Sequence, residues 1–249
     1  MRLFFTGLAL GLTCGVASYF ILNTQGPSSS VKTDVELFVD FLLEDTERFE
    51  SVAFREVVEA VSERAVVAVK SETPADAALL AAVEASLDRV FDSLSVSEHP
   101  IHSVGRVNEI SRYVEDALLA ELNSLPGIQC SIPSNASGEL QRSGYPDLRL
   151  LHEASGRVFY LDPKVYKEGS EASSFRTFYF EPQRETNKIL DDASHLIVGV
   201  AHGGKVDAQW QLNSWKLIDL YDFDVRLKAE FQASNRELYQ GSLLLSEGQ

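Results

Sequence analysis

Three side chains in the middle of this chain have the types and spacing of a hydrolytic site: Asp147, Asp162 and Lys164. Asp162 and Lys164 sit two residues apart in the run 157–166, RVFYLDPKVY, which is rich in β-branched and aromatic residues. On a strand both therefore project from one face. Asp147 belongs to the preceding run, 145–151, and the turn at 152–156 folds the two runs into a hairpin that brings it alongside. Two carboxylates converging at a sheet end suit a hard divalent cation such as Mg²⁺, with Mn²⁺ able to substitute, and such a metal keeps waters for hydrolysis. A lysine beside them can orient or deprotonate the attacking water and offset phosphate charge.

Other chemistries find little support. Two cysteines, Cys14 and Cys130, exclude a disulfide scaffold and a cysteine-rich zinc module. The histidines at 99, 102, 152, 195 and 202 have no partners at zinc-ligand spacing, and His195 in an apolar run reads as a core or rim residue. Gly203-Gly204-Lys205 lacks the rest of a phosphate loop and reads as a turn. There is no Gly-x-Ser-x-Gly elbow.

The hydrolytic constellation resembles the PD-(D/E)xK nuclease superfamily. Its motif of Pro-Asp, a spacer, then an acid, any residue and Lys reads here as Pro146-Asp147 and Asp162-Pro163-Lys164. Gly144 to Asp147, Asp162 to Tyr166 and the segment 173–179, SSFRTFY, follow the order found in one group of type II restriction endonuclease-like proteins. The resemblance covers roughly residues 105–241. It implies a mixed α/β sheet flanked by helices, DNA as substrate, and Mg²⁺-dependent phosphodiester hydrolysis. Asp147, Asp162 and the backbone carbonyl of Pro163 would hold metal, and Lys164 would serve the water. Pro163 departs from the usual β-branched residue: it keeps its carbonyl but lacks an N–H, so the strand there must be edge-like or broken.

The resemblance also draws an acid from the helix before the motif, at 106–124. Stepping about 100° per residue, Glu115 borders the apolar stripe of Leu118, Leu119 and Leu122. Glu121 borders it two turns further on, and Glu109 points away. Glu115 is therefore the expected third acid, shared between catalysis and metal. Tyr166 shares the face of Lys164 and, with Arg176 and Lys188, is a candidate for substrate contact.

These residues need a scaffold. Apolar spacing predicts helices across 34–98, with Thr73-Pro74 as an N-cap and first helical position. Strands are expected at 145–151, 157–166, 175–180, 195–200 and 215–220, and helical stretches near 184–193 and 234–240. The boundaries expected are an apolar segment at 1–22, a polar linker at 23–33, an acidic helical region at 34–104 and a nuclease-like domain at 105–249. Net charge is −15, from 22 basic and 37 acidic residues, so the chain is not a generic basic coat for nucleic acid. A solvated acidic face, or a surface for a basic partner, accounts for the N-terminal helices. Residues 3–22 carry no charge and match a bilayer core in length. They imply a membrane anchor or exported signal segment, unless the start lies downstream and the protein is cytoplasmic. Three functional alternatives stand: a DNA endonuclease, acting alone or as a homodimer; a Holliday-junction resolvase with the same site; or a non-catalytic membrane-associated interaction module.

Overall fold

The computed structural model describes residues 32–44, 49–174 and 178–246. The apolar segment at 3–22 lies outside them, as does Arg176. Among the described residues no helix is long and apolar enough to cross a membrane. The chain divides into two units at Glu44/Asp45. In the first, α1 (Asp34–Glu44) opens on a reciprocal cap. The Glu36 amide donates to the Thr33 hydroxyl at 3.2 Å, and the Thr33 amide donates back to the Glu36 carboxylate at 2.7 Å.

The second unit carries β1 (Val52–Ala53), α2 (Phe54–Ser62), α3 (Pro74–Leu94), α4 (Val107–Asn123), β2 (Ile128–Ser131), β3 (Leu148–His152), β4 (Arg157–Lys167), β5 (Ser194–Val206), β6 (Gln209–Asp219), β7 (Asp224–Val225) and α5 (Asn235–Leu238). Thr73 caps α3 by accepting from the Asp76 amide, and Pro74 fills the first helical position. Five strands form one mixed sheet in the order β2-β3-β4-β5-β6, with β4 and β5 parallel and the other pairs antiparallel. The two-residue strands β1 and β7 pair separately.

Alternation along the strands divides the core between the two faces of the sheet. On one face Leu79, Val83 and Leu87 of α3 and Ile110, Val114 and Leu118 of α4 pack with Leu148, Leu150, Phe159, Leu161 and Val198. On the other, Phe54 and Val58 of α2 pack with Tyr145, Val158, Tyr160, Ile189 and Ile197. Because the leucines of α3 share a core with the sheet, residues 74–94 belong to the sheet domain. The expected border at residue 104 moves to Glu44/Asp45.

Two further expectations change. Residues 184–193 are not helical. Asn187 braces that segment locally, its Oδ1 accepting from the Ile189 amide and its Nδ2 donating to the Ile189 carbonyl, which competes with helical bonding. Residues 178–180 form no strand; Phe178 and Phe180 instead meet Phe54 and Tyr145 edge to face. Gly203-Gly204 is a bulge inside β5 rather than its closing turn. The turn falls at Asp207-Ala208, both with positive φ (49° and 64°), as a two-residue hairpin connection requires.

Candidate active site

The site forms where the sheet changes pairing. β3 begins at Leu148, paired with Leu161, so the chain leaves the ladder at Asp147, directly across from Asp162. Beyond Leu161, β4 is paired on one side only, with β5, through Asp162↔Ile197, Pro163↔Val198 and Lys164↔Gly199. That half-edge is why Pro163 fits: the strand runs on through it, and no β3 residue stands opposite to need its missing N–H. The ladder is edge-like at the proline, not broken.

Asp147, Asp162 and Lys164 come together there. Lys164 Nζ lies 3.7 Å from Asp147 Oδ2 and pairs more closely with Asp162 Oδ2. Asp162 is almost fully buried, with its side chain 2% exposed, against 14% for Asp147. Burial first, and then the neighbouring charge of Asp147, push the Asp162 carboxyl up to about 7 despite the lysine. Burial alone would lower Lys164, but Asp162, Asp147 and Glu115 together outweigh it and hold the ammonium above its ordinary value. Two carboxylates share a desolvated corner in which one ammonium does not balance them.

Glu115, half-buried on α4, is raised by burial and by the charge of Asp147, and is lowered in part by Lys164. Of the three helix glutamates, it is the one whose charge reaches the cluster. Glu121 is spent on Arg89 of α3 at 2.6 Å, and Glu109 is exposed. Among the described residues no three acidic, histidine or cysteine side chains stand at metal-ligand distance from one another. Glu115 is therefore not gathered with the two aspartates into a three-acid ligand set.

The donors do fit a metal of the Mg²⁺ kind. Asp162 Oδ2 is buried against the Lys164 ammonium and beside the Asp147 carboxylate, which leaves negative charge in the corner for a cation to balance. Two carboxylates offer a sparse, hard oxygen set, which suits a cation that retains several waters.

Lys188 was expected at a phosphate-facing surface, and its position corrects that. It is 1% exposed, and its Nζ donates to the Gln141 carbonyl at 3.2 Å. Burial lowers its pKa, offset in part by Asp147, Asp162 and Glu115, so it turns inward to the acid cluster. Asn187 and the bond from the Ala136 amide to the Asn187 carbonyl pin the segment that carries it. An Asn directly before the lysine was the only sequence signal for this.

Tyr166 continues the face of Lys164 along β4, and its hydroxyl is buried. His195 is a core residue: Tyr145 Oη lies 2.8 Å from its Nδ1, and burial lowers its pKa to about 3, so the ring stays neutral. Sequence reading missed the support beneath the hairpin. Arg149 grips Asp191 through two bonds, at 2.7 and 2.8 Å, and Tyr160 donates to the same carboxylate at 2.8 Å.

The chain is 34% identical over 148 residues to the type II restriction enzyme MjaV of Methanocaldococcus jannaschii, a match covering 57% of this chain and 63% of that enzyme. The chain thus spans less than two thirds of that relative's length. This similarity to a restriction enzyme corrects the membrane-anchored or exported placement expected from residues 3–22, a segment that lies outside the described residues. The family model described as the type II restriction enzyme MjaV family matches residues 48–242, which take in α2, α3 and the whole sheet. The chain belongs to the type II restriction enzyme MjaV family.

Proposed function

We propose that this protein is a divalent-metal-dependent DNA endonuclease with a PD-(D/E)xK site. The observation that carries the reading is the convergence of Asp147, Asp162 and Lys164 where β4 loses its β3 partner. Family membership supports the same reaction class.

Asp147, Asp162 and the Pro163 carbonyl would hold Mg²⁺, with Mn²⁺ as a substitute. The bound metal would activate a water and stabilise charge on the phosphate oxygens. Glu115 adds negative charge beside the two aspartates and helps to keep the cluster attractive to a cation. Lys164, held protonated by its acidic neighbours, orients the attacking water by donating to it and offsets charge building on the phosphorane oxygens. Burial of Asp162 keeps bulk water from screening these interactions. DNA, not the membrane, is the partner this site suits, despite the net charge, because local cations and a bound metal act at close range.

The test is cleavage of plasmid and branched DNA with millimolar Mg²⁺ or Mn²⁺. Wild-type protein should cut, while Asp147→Ala and Lys164→Ala should not, with folding verified by circular dichroism. Equal activity in all three proteins after removal of contaminating nucleases would sink the reading. A wild-type protein that neither cuts nor gains thermal stability from metal would favour a non-catalytic module.

A further inference from the structure

The strand register lays one row of residues across the sheet away from the acid cluster. Lys164 of β4 is paired with Gly199 of β5, and Gly199 with Lys216 of β6. Paired residues share a face, and the flanking Val165, Val198, Val200, Trp215 and Leu217 all turn to the opposite, helix-covered side. Lys164 and Lys216 thus stand on the same face, separated by a residue with no side chain. Tyr166 leans into that gap: a Cβ added at Gly199 would meet its ring at 3.3 Å. The hydroxyl of Tyr166 is buried and interacts with the Lys216 ammonium. Lys216 Nζ lies over the same ring, 5.8 Å from its centre. On β6, Ser214, Lys216 and Ile218 of this face are exposed.

We infer that Lys216, with its ammonium positioned by the Tyr166 hydroxyl, forms a subsite for a DNA backbone phosphate next to the one being cut. This rests on the proposed nuclease reading and adds the direction in which the strand leaves the site. Cations beside the reacting phosphate position the neighbouring backbone phosphates of a duplex. The row provides an exposed one in Lys216, across Gly199 from Lys164. Besides Tyr166, Lys216 meets Glu171 at 3.4 Å, in a pair exposed by about half on each side. Such exposed pairs are weak, so a phosphate can replace the carboxylate. In a chain of net charge −15, a lysine on the same sheet row as the catalytic one is the cation best placed to counter repulsion of DNA.

The experiment measures binding of a short fluorescent DNA duplex of mixed sequence to the full-length protein, with Ca²⁺ in place of Mg²⁺, over a series of salt concentrations. Plasmid cleavage with Mg²⁺ runs in parallel. Lys216→Ala should weaken binding and reduce the slope of log affinity against log salt by about 1, the signature of one lost phosphate contact. Lys216→Arg should restore the slope, Tyr166→Phe should weaken binding, and Glu171→Gln should tighten it. In cleavage, Lys216→Ala should raise KM more than it lowers kcat. Its melting temperature should stay that of wild type, since the side chain is exposed. If wild-type protein binds and cuts DNA while Lys216→Ala keeps the wild-type slope, the subsite is wrong and the nuclease reading survives. If wild-type protein neither binds nor cuts DNA, both fall.

Discussion

Asp147 stands one residue outside β3, yet its carboxylate lies 3.7 Å from the ammonium of Lys164, which projects from a different strand. The lysine thereby offsets the repulsion between two carboxylates brought together in a buried corner. Lys164→Met removes that counter-charge and the donor to the water together. Cleavage should fall by about 10²–10⁴-fold, the range for losing a positioned acid–base or charge-stabilising group. Metal binding, followed by calorimetry, should persist, because the aspartates remain. Loss of metal binding together with cleavage would show that the lysine builds the metal site rather than serving the water.

The same repulsion makes the fold sensitive to cations. Saturating Mg²⁺ or Mn²⁺ should raise the melting temperature of wild-type protein, by the equivalent of about 2.7 kcal/mol at a hundredfold excess over Kd. Asp147→Ala and Asp162→Ala should each lose most of that rise. The comparison is made by thermal scans with metal and with a chelator. A rise that survives both substitutions would place the binding elsewhere.

Two glutamates of α4 offer a matched control. Glu115 interacts electrostatically with Asp147 and Lys164, whereas Glu121 is committed to Arg89 on the far part of the helix. Glu115→Gln should lower Mg²⁺-dependent cleavage at limiting metal and be partly rescued by more metal. Glu121→Gln should leave cleavage unchanged and shift stability by no more than about 1 kcal/mol, as expected for an exposed pair. Equal kinetics in the two variants would remove Glu115 from the site.

Much of this was readable from residue type and period alone. Alternation in 157–166 gives β4 and puts Asp162 and Lys164 on one face, and the apolar stripe on α4 singles out Glu115 over Glu109. Signals of that kind are local, and local signals fix local structure. Lys188 was not legible: its burial depends on where the 184–193 segment lands, which contacts distant in sequence with Gln141 and Ala136 decide. The border at 104 failed for a related reason. Charge density separates residues 34–104 from the rest, but the buried face of α3 has the leucine spacing of any core helix, and charge on its outer face says nothing about what the inner face covers. Gly203-Gly204 looks like a turn because glycine pairs usually are; only the register against β6 reveals a bulge.

The scaffold beneath the site has its own titratable brace. Asp76, at the start of α3, accepts from Arg157 Nε at 2.7 Å and from the Lys70 amide at 2.8 Å, tying the helix to the first residue of β4. Burial alone would raise its carboxyl, but the bonds from Arg157 and Lys70 outweigh this and hold it below its ordinary value of 3.8. A carboxylate depressed in the folded state contributes stability that is fully present above the unfolded value and is lost as pH falls through the folded one. Asp76→Asn should therefore destabilise the protein at pH 7 by about 3 kcal/mol, since it leaves a half-buried guanidinium without its charge partner. For a chain of this size that is a fall of roughly 6–12 °C in melting temperature. The gap between variant and wild type should narrow steadily below about pH 4, where wild-type Asp76 also takes up its proton. Thermal scans from pH 7 to pH 3 measure it, and a gap that stays constant across that range would mean the aspartate acts through its shape and hydrogen bonds rather than its charge.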